Sequence, residues 1–267
     1  MNLEQSLIDQ YNKNGVAVIR NAISSYWLKK LSIGIEKNFN DPSKYKCIYE
    51  KTDGKEIFFD DYCNWQRIKE YKDFFFSSNI ANIAAQLMQS KKVNIFHEHV
   101  LIKEPGATKK TPWHQDQSYY CVNGKDNCSL WIPLDPISKD ICPEFILSSH
   151  KWDRQFLPTK FFGDSYEQQD KEFEKIPDID SNRGLYDIIS WSLAPGDLIA
   201  FNFATVHGAP GNNSLNRRRG FSARFTGDDA TYAKRKGETS PPFPEVTLKH
   251  GDAMDCTTFP QIELNNG

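Results

Sequence analysis

Two of the six histidines in the chain stand in motifs that are typical of a metal site. His114 and Asp116 are two residues apart in the motif WHQD, and His207 follows much later before a turn-rich segment. If residues 113–122 form a strand, His114 and Asp116 point to the same face, because side chains two apart on a strand do so. Two imidazoles and one carboxylate leave three coordination positions open, which suits non-heme Fe(II) and oxygen chemistry. The spacing therefore predicts an iron site of His114, Asp116 and His207.

A run of three arginines follows this segment and leads into a predicted strand. Such runs are usually solvent-exposed basic faces, and this is the expectation for Arg217 and Arg219. Alternation places Arg218 on the opposite face, together with the small residues Gly220 and Ser222. A buried guanidinium requires an anion, and a dicarboxylate matches its two parallel N–H groups. The pattern predicts an anion-binding arginine in the interior.

The elements that must position these residues are short strands. Helical spacing is found at 3–13, after Ser24 and at 80–88, with a strand at 16–20. From about residue 93, β-forming runs alternate with turn residues, which indicates an all-β core that closes into a jelly roll. The fold class is therefore mainly β with flanking helices. The predicted strands of the core are 93–102, 113–122, 129–134, 144–147, 197–203 and 220–225.

We expect a single domain over 1–267. Its parts are a largely helical section at 1–92 that packs on the core, the core itself at 93–230, and a C-terminal extension at 231–267. Within the core, the charged and aromatic insertion at 151–190 has no strong period, which favours a lid over a separate domain.

Composition excludes several classes of protein. Lys+Arg 33 against Asp+Glu 35 gives a formal charge of -2, so no global field attracts nucleic acid or an anionic membrane. No apolar run approaches the roughly 18 residues that span a bilayer. The polar start does not resemble a secretion signal, and the six cysteines form no C-x-x-C pair, so we expect a cytoplasmic protein with reduced thiols. The sequence specifies no oligomeric state.

The order of these motifs resembles the phytanoyl-CoA dioxygenase family of Fe(II)- and 2-oxoglutarate-dependent oxygenases, from the opening helix, strand and helix to about residue 229. The resemblance implies a double-stranded β-helix, a cupin-like core, in which His114, Asp116 and His207 hold Fe(II). It also implies 2-oxoglutarate as cosubstrate, with its distal carboxylate on Arg218, and O2 as oxidant. The motifs that carry it are WHQD at 113–116, SLWIPLDP at 129–136, EFILSSHKW at 144–152, APGD at 194–197, HGAPGNNS at 207–214 and Arg218.

Further cosubstrate contacts follow from the same resemblance. Trp131 matches a tryptophan beside the cosubstrate, although it fits an ordinary core aromatic equally well, and His97 occupies another contact position. Some relatives carry a serine two residues after the distal histidine, where this chain has Ala209. Ser222 and Thr205 are candidates for the missing hydroxyl.

The resemblance favours hydroxylation over halogenation, because Asp116 is retained and no ligand position is left for a halide. We expect hydroxylation of an aliphatic C–H bond of a small, polar metabolite, with release of succinate and CO2. The acidic pair Asp228 and Asp229 suggests an amine-bearing substrate, although these residues also fit a turn-capping role. The candidates for the pocket mouth, each of which also fits a structural role, are His99, Tyr119, Tyr120, His150, Trp152, Thr226, Gly227, Asp228 and Asp229.

Three alternatives remain open. The chain could be an acyl-CoA hydroxylase of the same family. It could be a non-iron cupin-like protein that binds a metal through His97 and His99, which form an H-x-H pair on one strand face. It could also be a non-catalytic binding module. The retention of Arg218 beside the three predicted ligands favours the oxygenase.

Overall fold

A computed structural model describes residues 1–158 and 173–264 of the chain. Within these ranges the α-helices are Gln5–Asn14 (α1), Ser25–Asn40 (α2), Lys69–Ser77 (α3) and Ile80–Met88 (α4). The strands are Val16–Ile19 (β1), Cys47–Thr52 (β2), Lys55–Tyr62 (β3), Asn94–Lys103 (β4), Thr111–His114 (β5), Val122–Asn123 (β6), Asn127–Pro133 (β7), Glu144–Ile146 (β8), Ile188–Ile189 (β9), Leu198–Phe201 (β10), His207–Ala209 (β11), Arg218–Thr226 (β12) and Thr231–Tyr232 (β13).

Two sheets form the jelly roll. The large sheet has the strand order β1-β10-β7-β12-β4-β3-β2, and the small sheet has the order β5-β11-β8-β9. A separate ribbon pairs β13 with β6. Residues of both sheets line one cavity, so the cavity lies between them. The predicted mainly β fold is confirmed.

Helices cover the outer face of the large sheet. On β12, the Phe221 ring lies 4.8 Å from the Tyr71 ring and 5.8 Å from the Phe74 ring, while Phe225 lies 5.5 Å from Phe75. The odd-numbered residues of β12 therefore pack under α3, and alternation turns its even-numbered residues toward the cavity. This packing sets the direction of every side chain on the central strand of the site.

Helix α1 ends at Gly15, whose φ of 76° favours glycine. A Cβ there would lie 2.3 Å from His150 Nδ1 and 2.6 Å from Thr205 Oγ1. The Gly15 carbonyl accepts hydrogen bonds from Thr205 Oγ1 at 2.8 Å and from the Asn202 backbone N–H at 2.9 Å. The end of α1 is thus joined to the segment that leads into β11.

Strands β2 and β3 form a hairpin that the sequence did not predict. Asp53 and Gly54 connect them with φ values of 49° and 75°, as the two central positions of a type I′ turn require. The pattern is hidden because Phe58, Phe59, Asp60 and Asp61 are all buried, so apolar and polar residues do not alternate. The first 92 residues therefore supply three strands of the large sheet as well as the four helices.

Arg217 and Arg219, on either side of Arg218, do not form the expected solvent-exposed basic face. Arg217 donates to Glu36 at 2.8 Å and to Glu104 at 2.6 Å. Arg219 donates to Asp135 at 2.8 Å and to Glu36 at 3.4 Å. Both side chains are partly covered because acidic residues from α2 and two loops neutralise them.

Of the predicted lid, residues 159–172 lie outside the described part of the chain. Its described parts, 151–158 and 173–190, line no part of the cavity, and they add β9 to the small sheet. Residues 238–242 of the C-terminal extension line the cavity instead. All six cysteines are free thiols. In the two described ranges, no helix has the length and apolar character needed to cross a bilayer.

Candidate active site

The three predicted metal ligands come together at one end of a cavity of about 480 Å³. His207 on β11 lies directly opposite His114 on β5. Asp116 Oδ1 lies 3.5 Å from His114 Nε2 and 3.9 Å from His207 Nε2. One candidate ligand atom from each residue lies within 4.8 Å of the others. In the described part of the chain, this is the one cluster of three or more such residues that could hold a metal ion.

Asp116 reaches this cluster by a different route from the predicted one. Strand β5 ends at His114, and Asp116 has helical backbone angles (φ -61°, ψ -39°) before a 3-10 helix at Gln117–Tyr119. The Gln117 N–H donates to the Phe203 carbonyl at 2.9 Å. The prediction of one strand over 113–122 is therefore wrong. A turn held against the neighbouring loop, rather than strand alternation, directs the carboxylate.

The two imidazoles are oriented for metal binding. His114 Nδ1 lies 2.8 Å from the Pro112 carbonyl, and His207 Nδ1 lies 2.9 Å from the Thr205 carbonyl. Donation from Nδ1–H to these carbonyls leaves both Nε2 lone pairs facing Asp116, as in metal-ligating histidines. Burial lowers the pKa of His207 to about 3, with a further contribution from His114. Because unprotonated nitrogens facing a carboxylate repel it, a cation between them fits the arrangement.

Arg224 fixes the other oxygen of the carboxylate. Asp116 Oδ2 accepts from Arg224 Nε at 3.3 Å and from Ser129 Oγ at 3.2 Å. Burial alone would raise the pKa of Asp116, but Arg224 and the two imidazoles hold it well below its usual range. The guanidinium lies 5.8 Å from the Tyr120 ring, and its buried Nη1 has no hydrogen-bond partner among the described residues. The acid is therefore ionised and oriented.

Arg218 lines the same cavity and has a different environment. It is 5% exposed and donates only to the carbonyls of Ile141 and Pro210 among the described residues. Burial lowers its pKa to about 10. The indole of Trp131 covers the next residue on that face, since a Cβ on Gly220 would lie 2.4 Å from its Nε1. The cavity thus contains a buried guanidinium with no described carboxylate beside it.

A second buried basic side chain, which the sequence did not reveal, lies next to Arg218. Lys103 on β4 is its cross-strand neighbour and is fully buried. Its Nζ donates to the carbonyls of Lys109 at 2.8 Å and Pro210 at 2.9 Å and lies 4.2 Å from the Phe58 ring centre. Burial lowers the pKa of Lys103 to about 6, and Arg218 adds to the effect.

His97 and His99 line the cavity without forming a metal site of their own. His97 Nδ1 lies 3.0 Å from the Glu98 carbonyl, and its buried Nε2 has no hydrogen-bond partner among the described residues. His99 Nε2 lies 2.9 Å from Asp60 Oδ2. In the part of the chain that is described, no cluster of candidate ligands includes either histidine. The structure gives the H-x-H alternative no third ligand.

Other predicted residues divide between the cavity and its supports. Tyr119, Tyr120 and Ser222 line the cavity. Thr205 does not, because its hydroxyl donates to Gly15. The suggestion that Thr205 replaces the serine missing at position 209 is therefore wrong.

His150 and Trp152 also lie outside the cavity lining. His150 Nε2 lies 3.2 Å from the Asn12 carbonyl, so this ring supports the end of α1. Trp152 packs 6.2 Å from Phe156 and 6.1 Å from Tyr186 in a separate hydrophobic cluster. Their assignment to the pocket mouth is corrected, since both are packing residues.

The acidic pair is likewise away from the cavity. Asp228 accepts hydrogen bonds from the backbone N–H groups of residues 91–92, at 2.9 and 2.8 Å. Asp229 does the same for residues 125–126, at 2.8 to 3.0 Å. Thr226 and Gly227 precede them and are also absent from the lining. The turn-capping interpretation of the pair is correct, and its assignment to the substrate is not.

Sequence reasoning missed several lining residues. Arg224 has the same strand parity as Arg218, so alternation along β12 was a usable signal. Asp60 had no such sequence signal, because the hairpin of β2 and β3 was not predicted. The cavity lining that was missed comprises Tyr45, Cys47, Tyr49, Asp60, Tyr62, Thr111, Arg224 and residues 238–242.

The chain matches the model of the phytanoyl-CoA dioxygenase (PhyH) family over residues 11–220. A search of curated proteins gives no match. Similar solved structures include the non-heme alpha ketoglutarate dependent carbocyclase SnoK from nogalamycin biosynthesis, with 19% identity, 98% of this chain and 97% of that chain covered, and a TM-score of 0.75. The epimerase SnoN in complex with Fe3+, alpha ketoglutarate and nogalamycin RO has 16% identity, with 97% of this chain and 98% of that chain covered, and a TM-score of 0.75. EctD from S. alaskensis with 2-oxoglutarate and 5-hydroxyectoine has 16% identity, with 94% of this chain and 85% of that chain covered, and a TM-score of 0.70. These likenesses show a shared fold.

Proposed function

The chain belongs to the phytanoyl-CoA dioxygenase family of Fe(II)- and 2-oxoglutarate-dependent oxygenases, and we propose that it hydroxylates an aliphatic C–H bond of a small, polar metabolite. One observation carries the proposal. Three converging metal ligands and a buried arginine without a described carboxylate partner line the same cavity. A 2-oxoglutarate-dependent oxygenase needs both features, since the iron and the dicarboxylate must be held together.

His114, Asp116 and His207 would hold the iron. The carbonyl partners of the two Nδ1 atoms keep both Nε2 atoms free for the metal, and Arg224 keeps the carboxylate ionised. When bound, Fe(II) with O2 and 2-oxoglutarate supplies an oxidant that converts R–H to R–OH while releasing succinate and CO2. Retention of Asp116 supports hydroxylation over halogenation.

Arg218 would bind the distal carboxylate of 2-oxoglutarate. Its present partners are two carbonyls, which offer no negative charge, so a carboxylate would replace weak neutral acceptors with a charge-assisted pair. Lys103 lies opposite it on the adjacent strand, and its pKa of about 6 leaves Arg218 as the main positive charge at this end. Trp131, whose indole covers Gly220, and Ser222, its cross-strand partner, also line the cavity and would contact the cosubstrate.

The cavity supports a metabolite-sized substrate. Its volume of about 480 Å³ falls in the usual range for small-molecule sites, roughly 300–1,000 Å³. Polar side chains such as Asp60, His97 and His99 line part of it among apolar and aromatic walls, which supports a substrate that carries polar groups. Aromatic walls, including Phe145 and Phe201, would exclude water from the reacting groups. The cytoplasmic location stays a prediction from the sequence.

The test is a reconstitution experiment. The purified chain is loaded with Fe(II) without oxygen and then given 2-oxoglutarate, O2 and a cell extract. We expect succinate release and a mass gain of one oxygen atom in one metabolite, both dependent on 2-oxoglutarate. Release of succinate with oxidation of acyl-CoA thioesters only would favour the acyl-CoA alternative. A chain that binds neither iron nor 2-oxoglutarate would overturn the proposal.

A further inference from the structure

A second polar cluster lies on β3 and β4, away from the metal ligands. Asp60 is 2% exposed, and its Oδ2 accepts hydrogen bonds from the Tyr49 hydroxyl at 3.0 Å and from His99 Nε2 at 2.9 Å. Its Oδ1 is buried and has no hydrogen-bond partner among the described residues. A buried acceptor without a donor is unfavourable, and more so when it is charged. This oxygen therefore indicates a ligand that donates to it.

Sheet register places the cluster in the cavity of the metal ligands, at a different end. Asp60 is opposite Leu101 on β4, and Leu101 is opposite Gly220 on β12. Adjacent strands are about 4.8 Å apart, so Asp60 lies about 10 Å across the sheet from β12. Asp60 and Arg218 both line the cavity. Asp60 is thus level with Gly220 but two strands away from it, so a molecule bound at Asp60 leaves the Arg218 side chain on β12 available to 2-oxoglutarate.

The surroundings of Asp60 favour a cationic donor. The rings of Tyr45 and Tyr62 stack at 5.1 Å, and Tyr62 stands perpendicular to His99 at 5.6 Å. Aromatic faces beside a carboxylate are the usual environment for an organic cation. Tyr49 and His99 both contact Oδ2, so Oδ1 stays open to a donor from the ligand. Glu238 adds a second acidic side chain to the lining.

We propose that Asp60 binds a protonated nitrogen of the substrate, so that the substrate is an amine, amidine or guanidine. An N–H of this group donates to Oδ1 of Asp60, beside the stacked rings of Tyr45 and Tyr62. The inference rests on the proposed function, because it assigns the substrate of the same cavity. The amine expected from the sequence is kept, but its partner is Asp60 rather than Asp228 and Asp229.

Calorimetric titration tests the proposal with defined probes. The chain is loaded anaerobically with Fe(II) and 2-oxoglutarate and titrated with a broad panel of metabolite-sized amines, including benzylamine, cyclohexylamine and agmatine. Benzyl alcohol and cyclohexanol serve as uncharged counterparts of the same shape. We expect at least one amine to bind, and to bind tighter than its alcohol by about tenfold or more, since the hydrogen bond is charge-assisted.

Asp60→Asn removes the charge with little change of shape, and Asp228→Asn makes the same change outside the cavity. The first variant should weaken amine binding by about tenfold to a hundredfold, and the second should leave it unchanged. The charge-transfer absorbance of bound Fe(II) and 2-oxoglutarate should persist in both, which shows that they are folded.

Equal binding of amines and alcohols by the unaltered chain would overturn the inference, and this comparison needs no variant. It would also be overturned if no amine binds a chain that does bind 2-oxoglutarate, or if Asp60→Asn leaves amine binding unchanged. A chain that binds neither iron nor 2-oxoglutarate would instead contradict the proposed function. Amine titration of the metal-free chain then separates the two failures.

Discussion

The two ends of β12 carry buried arginines on the same face, six residues apart, in opposite electrostatic situations. Arg224 is paired with the Asp116 carboxylate, and its pKa is raised because the effects of Tyr120 and Asp116 outweigh burial. Arg218 has only carbonyl partners among the described residues, and burial lowers its pKa to about 10. Lys103 lies beside it, with a pKa lowered to about 6.

This difference separates a structural charge from a binding charge. The Arg224 end is internally neutralised, so its arginine orients a metal ligand. The Arg218 end carries a positive charge with no anion beside it among the described residues, so its arginine has a favourable role only when a ligand supplies one. Burial alone does not distinguish the two residues, since both are about 5% exposed.

The largest effect is expected from removing a metal ligand at the Arg224 end. His207→Ala should abolish iron binding and lower succinate release by at least a hundredfold or so, because even outer-shell partners typically contribute 10–100-fold. Iron content and succinate release measure the two effects. His250→Ala, an exposed histidine outside the cavity, is the control. Full iron content in His207→Ala would contradict the assigned ligand set.

The Arg218 end is tested by Arg218→Gln. The dissociation constant of 2-oxoglutarate should rise by about 10- to 100-fold, since a charge-assisted pair is lost, while iron binding is retained. Titration of the iron-loaded chain measures both. Arg219→Gln changes the adjacent residue on the opposite face and should leave the constant unchanged. If the two variants behave alike, Arg218 does not bind the cosubstrate.

The role of Arg224 in orienting the metal ligand Asp116 is tested by Arg224→Gln. We expect iron affinity to fall by about tenfold, the lower limit for an outer-shell partner, with a smaller change in 2-oxoglutarate affinity. Competition with a metal chelator measures the affinity, and Arg217→Gln is the matched surface variant. A loss confined to 2-oxoglutarate would show that both ends of β12 bind the cosubstrate.

The smallest effect concerns the pH dependence set by Lys103. Its pKa is about 6 in the folded chain and ordinarily 10.5, so between these values the unfolded chain binds more protons and the free energy of unfolding rises with pH. Lys103→Met removes this contribution. Relative to the variant, the unaltered chain should gain about 1 kcal/mol from pH 7 to pH 8, close to the roughly 1.4 kcal/mol for one full proton over one pH unit. Denaturant unfolding at both pH values measures it, and a constant difference would contradict the lowered pKa.

The sequence predicted the parts of the site that depend on local periodicity. Predicted strands overlap β4, β7, β8, β10 and β12, and the parity of Arg218 along β12 placed it inward. The ligand triad followed from residue type and spacing. The predictions for the strands and for Arg218 succeed because alternation is a property of the strand itself, whereas a turn brings Asp116 to His114.

The remaining features depend on contacts between distant segments. Asp116 is directed by a turn held against Phe203, which no local pattern shows. Asp60 lies in a hairpin whose buried acidic residues disguise its period. Lys103 reads as a surface lysine until the carbonyls of Lys109 and Pro210 are known to receive it.

The junction at Gly15 has a consequence for the N-terminal region. Its carbonyl receives the hydroxyl of Thr205, 190 positions later in the chain, and the Thr205 carbonyl in turn orients the imidazole of His207. The end of the first helix therefore helps to hold His207, the last of the three predicted metal ligands in the chain, in its orientation. Shortening the chain past Gly15 would loosen a histidine that the deleted residues never touch.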